Sequence, residues 1–205
     1  AGEADNQALS NTAWAFAKLE WLDSPLIDSI SASSISRISE FVPQGLSNLA
    51  WALARLALTD APLLTAISAE SIAKLSSLNA QDLSNTLWAL ATLKVRDEPL
   101  LEAISSESIR KMHEFNPQSI ANSAWALATL DVRDRPLLDA LAAEALAKIT
   151  EFNVQALSNT AWAFSRLEYF NEPLFQAIAA AAIRIISAFD AQALSNTLWS
   201  FARLE

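Results

Sequence analysis

The chain of 205 residues has no cysteine, one histidine and only two glycines. Without cysteine, disulfides and thiolate metal sites are excluded. One histidine, His113, supplies neither a metal cluster nor a nucleophile–base pair, and there is no glycine-rich phosphate loop. We expect His113 to be an exposed helix residue. Glu70, Glu107 and Glu144 fall in one repeat column and predict a solvated face. We therefore expect no catalysis, no cofactor and no metal.

Basic charge and long apolar runs are also scarce. The formal net charge is −9, whereas nucleic-acid binders usually present a basic face because phosphate neutralisation supplies much of their affinity. A local basic stripe is still compatible with that balance. The longest alanine-rich run, residues 177–183, ends at Arg184 and is too short to span a bilayer, so membrane insertion is not expected. Apolar residues make up 52% of the chain and charged residues 18%, which predicts a folded chain with a buried core.

The most abundant feature of the chain is one sequence motif that occurs six times. Residues 81–93, QDLSNTLWALATL, have counterparts that begin 37 residues apart. The tryptophans of the six copies are Trp14, Trp51, Trp88, Trp125, Trp162 and Trp199. A period in this range without insertions predicts a stacked array of helical repeats.

Each copy predicts a helix, here called a B helix. Good N-cap residues precede five of the six, and the sixth copy has Val42 followed by Pro43, which suits the first helical position. The N-cap column reads Asp5, Val42, Asn79, Asn116, Asn153 and Asp190. Asn79 with Asp82 resembles a capping box.

A second helix, the A helix, is predicted between successive B helices. Short polar links end at Pro25, Pro62, Pro99, Pro136 and Pro173, each two residues after Asp or Asn, which is typical of a helix start. The first A helix has apolar residues at Leu26, Ile27, Ile30, Ile35, Ile38 and Phe41. The step from Ile30 to Ile35 breaks the helical phase. The sequence therefore leaves open a kinked or split A helix, with one continuous helix favoured in the alanine-rich fourth and fifth copies.

These elements predict an all-α, right-handed α-solenoid of stacked helical hairpins with a 37-residue period. The expected single domain, 1–205, consists of a lone B helix at 5–20 and repeats at 25–57, 62–94, 99–131, 136–168 and 173–205. Solenoid ends usually carry polar capping repeats, and neither end does so here. We therefore expect either a segment of a longer array or end-to-end self-association.

A helical wheel of the B helix places Gln, Asn and a variable residue on one stripe, bordered by Trp. The invariant members are Gln7, Gln44, Gln81, Gln118, Gln155 and Gln192, with Asn11, Asn48, Asn85, Asn122, Asn159 and Asn196. The variable members are Lys18, Arg55, Thr92, Thr129, Arg166 and Arg203. These eighteen residues are the candidate ligand-binding set.

Two interpretations of the stripe stay open. The amides can form a ladder that joins successive repeats, or they can bind a base edge or a peptide backbone, since an amide both donates and accepts. The variable column is the better candidate for selective binding, although a basic residue near a helix C-terminus is also favoured by the helix dipole. The tryptophans are predicted to be mainly structural, because burying one contributes about 4–6 kcal/mol gross.

The motif QxLSNxxWAxAxL resembles the octotricopeptide repeat family and its 37-residue heptatricopeptide relatives. The resemblance covers residues 5–205. It implies RNA binding with about one nucleotide per repeat and an organellar location, chloroplast or mitochondrion. In that case Lys18, Arg55, Arg166 and Arg203 would contact phosphates, and the Gln and Asn columns would contact bases. The chain departs from the pattern in its 37-residue length, its lack of a PPPEW motif and its acidity.

Asn and Trp on one helix face also resemble armadillo repeats, in which such a row holds an extended peptide. An acidic array suits a basic peptide, because opposite fields steer association. The candidate partners are therefore single-stranded RNA or a protein or peptide, and an architectural subunit of a larger assembly is a third possibility.

Overall fold

The computed structural model describes the backbone of residues 2–203 and the side chains of residues 6–203. This part of the chain is all-α, with no strand. The B helices are Gly2–Lys18 (α1), Pro43–Arg55 (α3), Ala80–Leu93 (α5), Pro117–Leu130 (α7), Val154–Arg166 (α9) and Ala191–Ala202 (α11). The A helices are Ser24–Ser36 (α2), Ala61–Ala73 (α4), Glu98–Arg110 (α6), Arg135–Lys148 (α8) and Glu172–Arg184 (α10). None of the helices described is long and apolar enough to cross a membrane.

The chain divides into two compact units, residues 1–107 and 108–205. In unit 1, α1, α3 and α5 pack side by side, and α2 packs against α4. The core there includes Leu46, Leu49 and Ile67, each at most 2% exposed. In unit 2, α7, α9 and α11 pack side by side, and α8 packs against α10. Leu157, Phe164 and Leu174 are fully buried in it. Within each unit, the B helices form one layer, and the A helices form a second layer that packs against it.

The predicted helix starts are confirmed for five B helices. Asn79, Asn116, Asn153 and Asp190 each accept the backbone N–H three residues later, and Asn79 with Asp82 forms the predicted capping box. Val42 makes no side-chain cap, and Pro43 occupies the first turn. Asp5 was the wrong start for the first helix, because α1 already begins at Gly2; the Asp5 side chain lies outside the described residues, as does Glu205 at the predicted end of the last repeat.

Each of the first five B helices is followed by a left-handed residue, and none of these five residues is glycine. The residues with φ between 53° and 57° are Glu20, Ala57, Lys94, Asp131 and Glu168. The residue after each of them donates its backbone N–H to the carbonyl five residues back, as in Tyr169 to Phe164 at 2.9 Å. This is the Schellman arrangement, in which the orphan carbonyls of the helix end are satisfied and a hydrophobic contact follows. The Phe164 and Tyr169 rings lie 5.9 Å apart.

The expected break in the A helices lies elsewhere than the sequence suggested. α2 is continuous from Ser24 to Ser36, and the chain breaks at Arg37 before a 3-10 helix at Ile38–Glu40. The fourth and fifth copies, expected to be single helices, break in the same place, before Ile149–Glu151 and Ile186–Ala188. The remaining 3-10 helices are Leu75–Ser77 and Met112–Glu114.

The phase break disappears because serines complete the buried face. Ile27, Ile30, Ser31 and Ser34 are the buried residues of α2, at helical spacing. Ile35, assigned to the apolar stripe from the sequence, is 36% exposed. Ile35 is predicted to lie in the apolar stripe because its side chain is apolar. The structure instead buries Ser34, since a small hydroxyl-bearing side chain fits that core position.

Lysines at the C-terminal ends of the A helices α4 and α8 join consecutive repeats. Lys74 Nζ donates to the carbonyls of Ser39 (2.7 Å) and Phe41 (2.6 Å) in the preceding repeat. In unit 2, Lys148 Nζ donates to His113 (3.0 Å) and Phe115 (2.6 Å) in the same way. A cation in this position satisfies carbonyls at the end of the preceding 3-10 helix.

The glutamates expected on a solvated face belong to these joints. Glu70 lies 3.0 Å from Lys74, Glu144 lies 2.8 Å from Lys148, and both carboxylates are mostly buried. Glu107 in the same column is buried. The prediction was wrong because the carboxylates are held beside the lysines that cross to the next repeat. His113 is exposed, as expected, with 78% of its side chain accessible.

Candidate ligand-binding face

The Gln and Asn columns lie on the accessible side of the B helices. All six Gln residues of the column are exposed; Asn11 is exposed, and the other five Asn residues are half-buried. Across residues 6–203, none of these twelve side chains makes a hydrogen bond within the protein. Their donors and acceptors are therefore available to a ligand.

Other residues make the hydrogen bonds that the ladder interpretation assigned to Asn. In unit 1, Ser47 Oγ donates to Asp82 Oδ1 at 2.8 Å in a buried contact, and Ser31 Oγ donates to Asp60. In unit 2, Ser165 Oγ donates to the Ser200 carbonyl at 2.7 Å. Buried polar groups must find such partners, and these serines supply them where the helices pack.

Amides from consecutive B helices line two grooves in unit 2. The groove between α9 and α11, here called the α9/α11 groove, has a volume of about 340 Å³. Its lining includes Gln155, Asn159, Gln192, Asn196 and the N-cap residue Asp190. A smaller groove of about 110 Å³ lies between α7 and α9, lined by Gln118, Asn122, Gln155, Asn159 and the N-cap residue Asn153, among others. The packing of two B helices thus brings the predicted site residues together in fours.

The tryptophans are not simply core residues. Trp14 and Trp199 are each 41% exposed, and the other four of the column are half-buried. In unit 1 the rings form a row, with centroids 6.1 Å apart for Trp14 and Trp51 and 6.3 Å apart for Trp51 and Trp88. Trp51 and Trp88 also pack against the core. Trp51 and Trp88 therefore support the fold with one side and border the amide stripe with the other.

The basic members of the variable column differ in their surroundings. Arg55 forms an ion pair with Glu20 of the preceding repeat, and Arg203 lies 3.1 Å from Glu168. Lys18, Arg55 and Arg203 also lie over the Trp ring of their own helix, at 5.7, 6.0 and 5.2 Å from its centroid. Arg166 is exposed and has no ion pair, hydrogen bond or ring contact within the described residues. Arg55 and Arg203 are thus paired with glutamates, whereas the charge of Arg166 is available to a ligand.

Thr92 and Thr129 do not present a hydroxyl to a ligand. In both residues Oγ1 is buried and has no hydrogen-bond partner among the residues described. Both side chains are half-buried. The sequence alone could not show this, because rotamer and packing decide whether a threonine exposes its hydroxyl or its methyl group.

Sequence reasoning missed two further contributors to this face. The tryptophans were assigned to the core, although their recurrence beside the polar stripe was visible. The N-cap residues Asn153 and Asp190 were treated as caps only, and the grooves show that they also line the amide surface. No cluster of acidic residues and histidine that could hold a metal occurs in the described part of the chain.

Comparison with known families connects the chain as a whole with RNA editing. The model of the RNA-editing substrate-binding complex 6 protein family matches residues 1–205, the whole chain. A search of curated proteins gives no match. The family is therefore not the octotricopeptide repeat family that the motif resembles, and the common ground is an all-α protein of a family connected with RNA. By its full-length match, the chain belongs to the RNA-editing substrate-binding complex 6 protein family.

Proposed function

We propose that this chain is a non-catalytic subunit of an RNA-editing substrate-binding complex and that its B-helix face binds single-stranded RNA. Membership of the family supports both the proposed assembly and the connection to RNA. The B-helix face supplies the chemistry, since twelve accessible amides make no hydrogen bond within the residues described. That observation carries the proposal, because amides can pair with the exposed edges of unstacked bases.

The tryptophan row supports a single strand in preference to a duplex. Aromatic side chains provide stacking surfaces for bases, and every base has such a face. Trp14 exposes 41% of its surface beside Asn11 and Lys18 on the same helix. Base stacking and base-edge contacts are accessible together only when the strand is unpaired.

The proposed architecture is a right-handed solenoid in which each 37-residue repeat contacts about one nucleotide. The side-by-side packing of B helices within each unit supports it. Small-angle X-ray scattering tests this part separately. A compact domain of this length has a radius of gyration of about 17 Å, and an extended array must exceed that value clearly. A value near the compact limit would contradict the solenoid and leave the binding face untouched.

Fluorescence anisotropy with a labelled single-stranded decanucleotide tests the binding function. The Gln155→Ala/Asn159→Ala double variant removes two amides of the α9/α11 groove and should weaken binding about tenfold, given about 0.5–1.5 kcal/mol per hydrogen bond. Gln176→Ala on the A helix α10, also exposed, is the matched control and should leave affinity unchanged. Equal affinity for the double variant and the wild type would refute the proposal.

The dependence on salt separates the cations. Arg166→Gln should reduce the slope of log affinity against log salt by about one, because Arg166 is available to a phosphate. Arg55→Gln should reduce the slope less, because Glu20 already neutralises Arg55. Measurements at about 50 and about 200 mM salt suffice. A slope unchanged by Arg166→Gln would remove Arg166 from the proposed interface.

A protein-binding scaffold is the second candidate function. It is favoured by the net charge of −9 and by the neutralisation of Arg55 and Arg203 by glutamates of the preceding repeat. A lysine- and arginine-rich decapeptide measured beside the RNA discriminates the two. Peptide binding without RNA binding would replace the RNA proposal with the scaffold, whereas RNA binding that survives competition by the peptide would support the first.

A further inference from the structure

Asn153 and Asp190 are the N-cap residues of α9 and α11; each side chain ends in two polar atoms, and one of the two is used for capping. Asp190 Oδ1 accepts the N–H of Ala193 at 2.8 Å. Asn153 Oδ1 accepts the N–H of Ala156, also at 2.8 Å. Because a cap must accept a hydrogen bond, the other end of Asn153 is its Nδ2 donor, and the other end of Asp190 is a carboxylate oxygen that can only accept.

These free ends belong to residues that line the grooves. Asp190 lines the α9/α11 groove and Asn153 lines the smaller groove between α7 and α9. Neither Asp190 Oδ2 nor Asn153 Nδ2 makes a hydrogen bond with any residue that the structure describes. The N-cap position of the repeat therefore offers an acceptor (Asp190) to the α9/α11 groove and a donor (Asn153) to the smaller groove.

The α9/α11 groove has room for a ligand group. Its volume of about 340 Å³ lies within the range of roughly 300–1,000 Å³ that small-molecule sites occupy. Asp190 is the only charged side chain among its lining residues, and the remainder include four amides and Ser158. A phosphate is disfavoured here, since a carboxylate without a basic neighbour repels it. A base edge that carries an amine is favoured.

We propose that the cap residue selects the base, so that the α9/α11 groove takes a base with an exocyclic amine, cytosine or adenine, in preference to uracil. This inference rests on the proposed binding of single-stranded RNA. Asp190 accepts from the cytosine N4 or adenine N6 amine, while the amides of Gln155, Asn159, Gln192 and Asn196 adjust to the rest of the edge. Uracil presents a carbonyl oxygen at the place of the cytosine amine, and the carboxylate repels it.

Asn153 makes the reciprocal assignment for the smaller groove. Its free Nδ2 donates to a carbonyl-bearing edge, such as uracil O4, and a cytosine amine has no acceptor there. The base preference of each groove is thus set by one side-chain atom, Asp190 Oδ2 in the α9/α11 groove and Asn153 Nδ2 in the smaller groove. The B-helix N-cap column would then vary specificity from repeat to repeat, while the invariant Gln and Asn columns supply common contacts.

The test compares a cytidine decanucleotide with a uridine decanucleotide, since these bases differ in the groups presented at positions 3 and 4. The probe is the labelled oligonucleotide, and the protein is the full 205-residue chain at fixed salt. Asp190→Asn keeps the cap, because Asp and Asn cap helices about equally well. Because Asp190 favours cytidine and Asn153 favours uridine, the measured quantity is the change in the cytidine-to-uridine affinity ratio, and Asp190→Asn should lower that ratio by about fivefold or more.

Two further variants guard the interpretation. Asn153→Asp should raise the cytidine-to-uridine ratio above that of the wild type. Asp28→Asn removes one exposed carboxylate on the A helix α2, and it should change both affinities equally, leaving the ratio unaltered. Circular dichroism melting checks that each variant keeps its helices.

The outcomes separate the two proposals. If both oligonucleotides bind and Asp190→Asn leaves their ratio at the wild-type value, the cap residue does not select the base and the RNA-binding function stands. If neither oligonucleotide binds the wild type, the RNA-binding function falls and the base assignment falls with it. A rise of the cytidine-to-uridine ratio on Asp190→Asn would also overturn the assignment to Asp190.

Discussion

In residues 1–107 the A helices α2 and α4 bury a serine at a position where α8 and α10, in residues 108–205, bury an alanine. In α6, which spans the boundary, Ser108 is buried at this position. Ser34 and Ser71 are at most 1% exposed, and their hydroxyls make no hydrogen bond in the residues described. Ala145 and Ala182 occupy the equivalent positions of α8 and α10 and are buried too. These A helices therefore have the same geometry with a different polarity at this one core position. Geometry here is set by helix packing and capping rather than by the chemistry of this column.

The largest expected effect concerns an apolar column of the B helices, which holds Leu53 in unit 1 and Phe164 in unit 2. Phe164 is fully buried and Leu53 is 4% exposed. Phe164→Ala should lower the free energy of unfolding by about 3–5 kcal/mol and Leu53→Ala by about 2–5 kcal/mol, through lost burial and the cavity left behind. Urea denaturation measures both. Phe164→Leu, which introduces the residue found at Leu53, should cost less than Phe164→Ala. An equal cost would show that the core around Phe164 does not depend on the volume left after the ring is removed.

The lysine joints should behave alike in the two units. Lys74→Met and Lys148→Met each remove charge-assisted hydrogen bonds to two carbonyls of the preceding repeat. We expect a loss of about 1.5–3 kcal/mol for each, because hydrogen bonds to charged groups contribute that amount. Thermal unfolding gives the comparison, with the exposed Arg184→Met as control. A loss in one unit only would show that the shared joint is not equally important in both.

Exchanging the serine and alanine positions tests the opening contrast directly. Ser71→Ala should stabilise the protein by about 1 kcal/mol, since it removes a buried hydroxyl without a partner, and Ala145→Ser should destabilise it by about 1–3 kcal/mol. Urea midpoints for the pair measure both signs. Destabilisation by Ser71→Ala would mean that the serine hydroxyl has a favourable role that the helix packing does not reveal.

The left-handed helix ends should respond more weakly. Ala57 and Glu168 have φ values of 54° and 56°, a region costly for residues with a Cβ. Ala57→Gly should stabilise by about 0.5–1 kcal/mol, the strain relief exceeding the entropy cost of glycine. Glu168→Gly should gain less, because Glu168 also pairs with Arg133 and Arg203. Differential scanning calorimetry should rank Ala57→Gly above Glu168→Gly; the reverse order would contradict this reasoning.

The smallest expected effect is the pH-dependent contribution of Tyr169, in unit 2, to stability. The hydrogen bond to Asp139, with the negative charge of that carboxylate, raises the pKa of Tyr169 above its usual value of 10.0. Because the folded-state pKa is raised, the contribution to stability is present below the unfolded pKa and is lost as the pH rises through the folded pKa. Tyr169 is the only tyrosine, so tyrosinate absorbance reports it alone. Asp139→Asn should shift the titration to lower pH, and an unshifted curve would exclude the contact.

Much of the fold was predictable from local chemistry. Asn79, Asn116, Asn153 and Asp190 cap B helices as expected, because a short side chain before a helix meets the same free amides in any context. The A-helix break was misplaced because Ser34 was counted as polar and Ile35 as apolar, whereas helical phase buries the serine. Periodicity of side-chain type therefore located the helices but not every buried position.

The candidate face was predictable as a stripe and not as a set of grooves. The spacing of Gln, Asn and Trp places them on one side of a helix, and the structure has the amides accessible. Whether Thr92 exposes its hydroxyl, or whether Arg55 is neutralised by Glu20, depends on residues about one repeat away. Such contacts are absent from a helical wheel, which treats each helix as isolated.

Local interactions in the sequence are enough to make this protein all-α, to set where five of its six B helices begin and to decide which side chains share a helix face. Those properties follow from interactions within a few residues, such as capping and the 3.6-residue period. Tertiary structure alone decided which cations are neutralised, which tryptophan surfaces are accessible and which amides meet in one groove. These depend on how closely consecutive helices pack, because hydrogen bonds and ion pairs form only within a few ångströms.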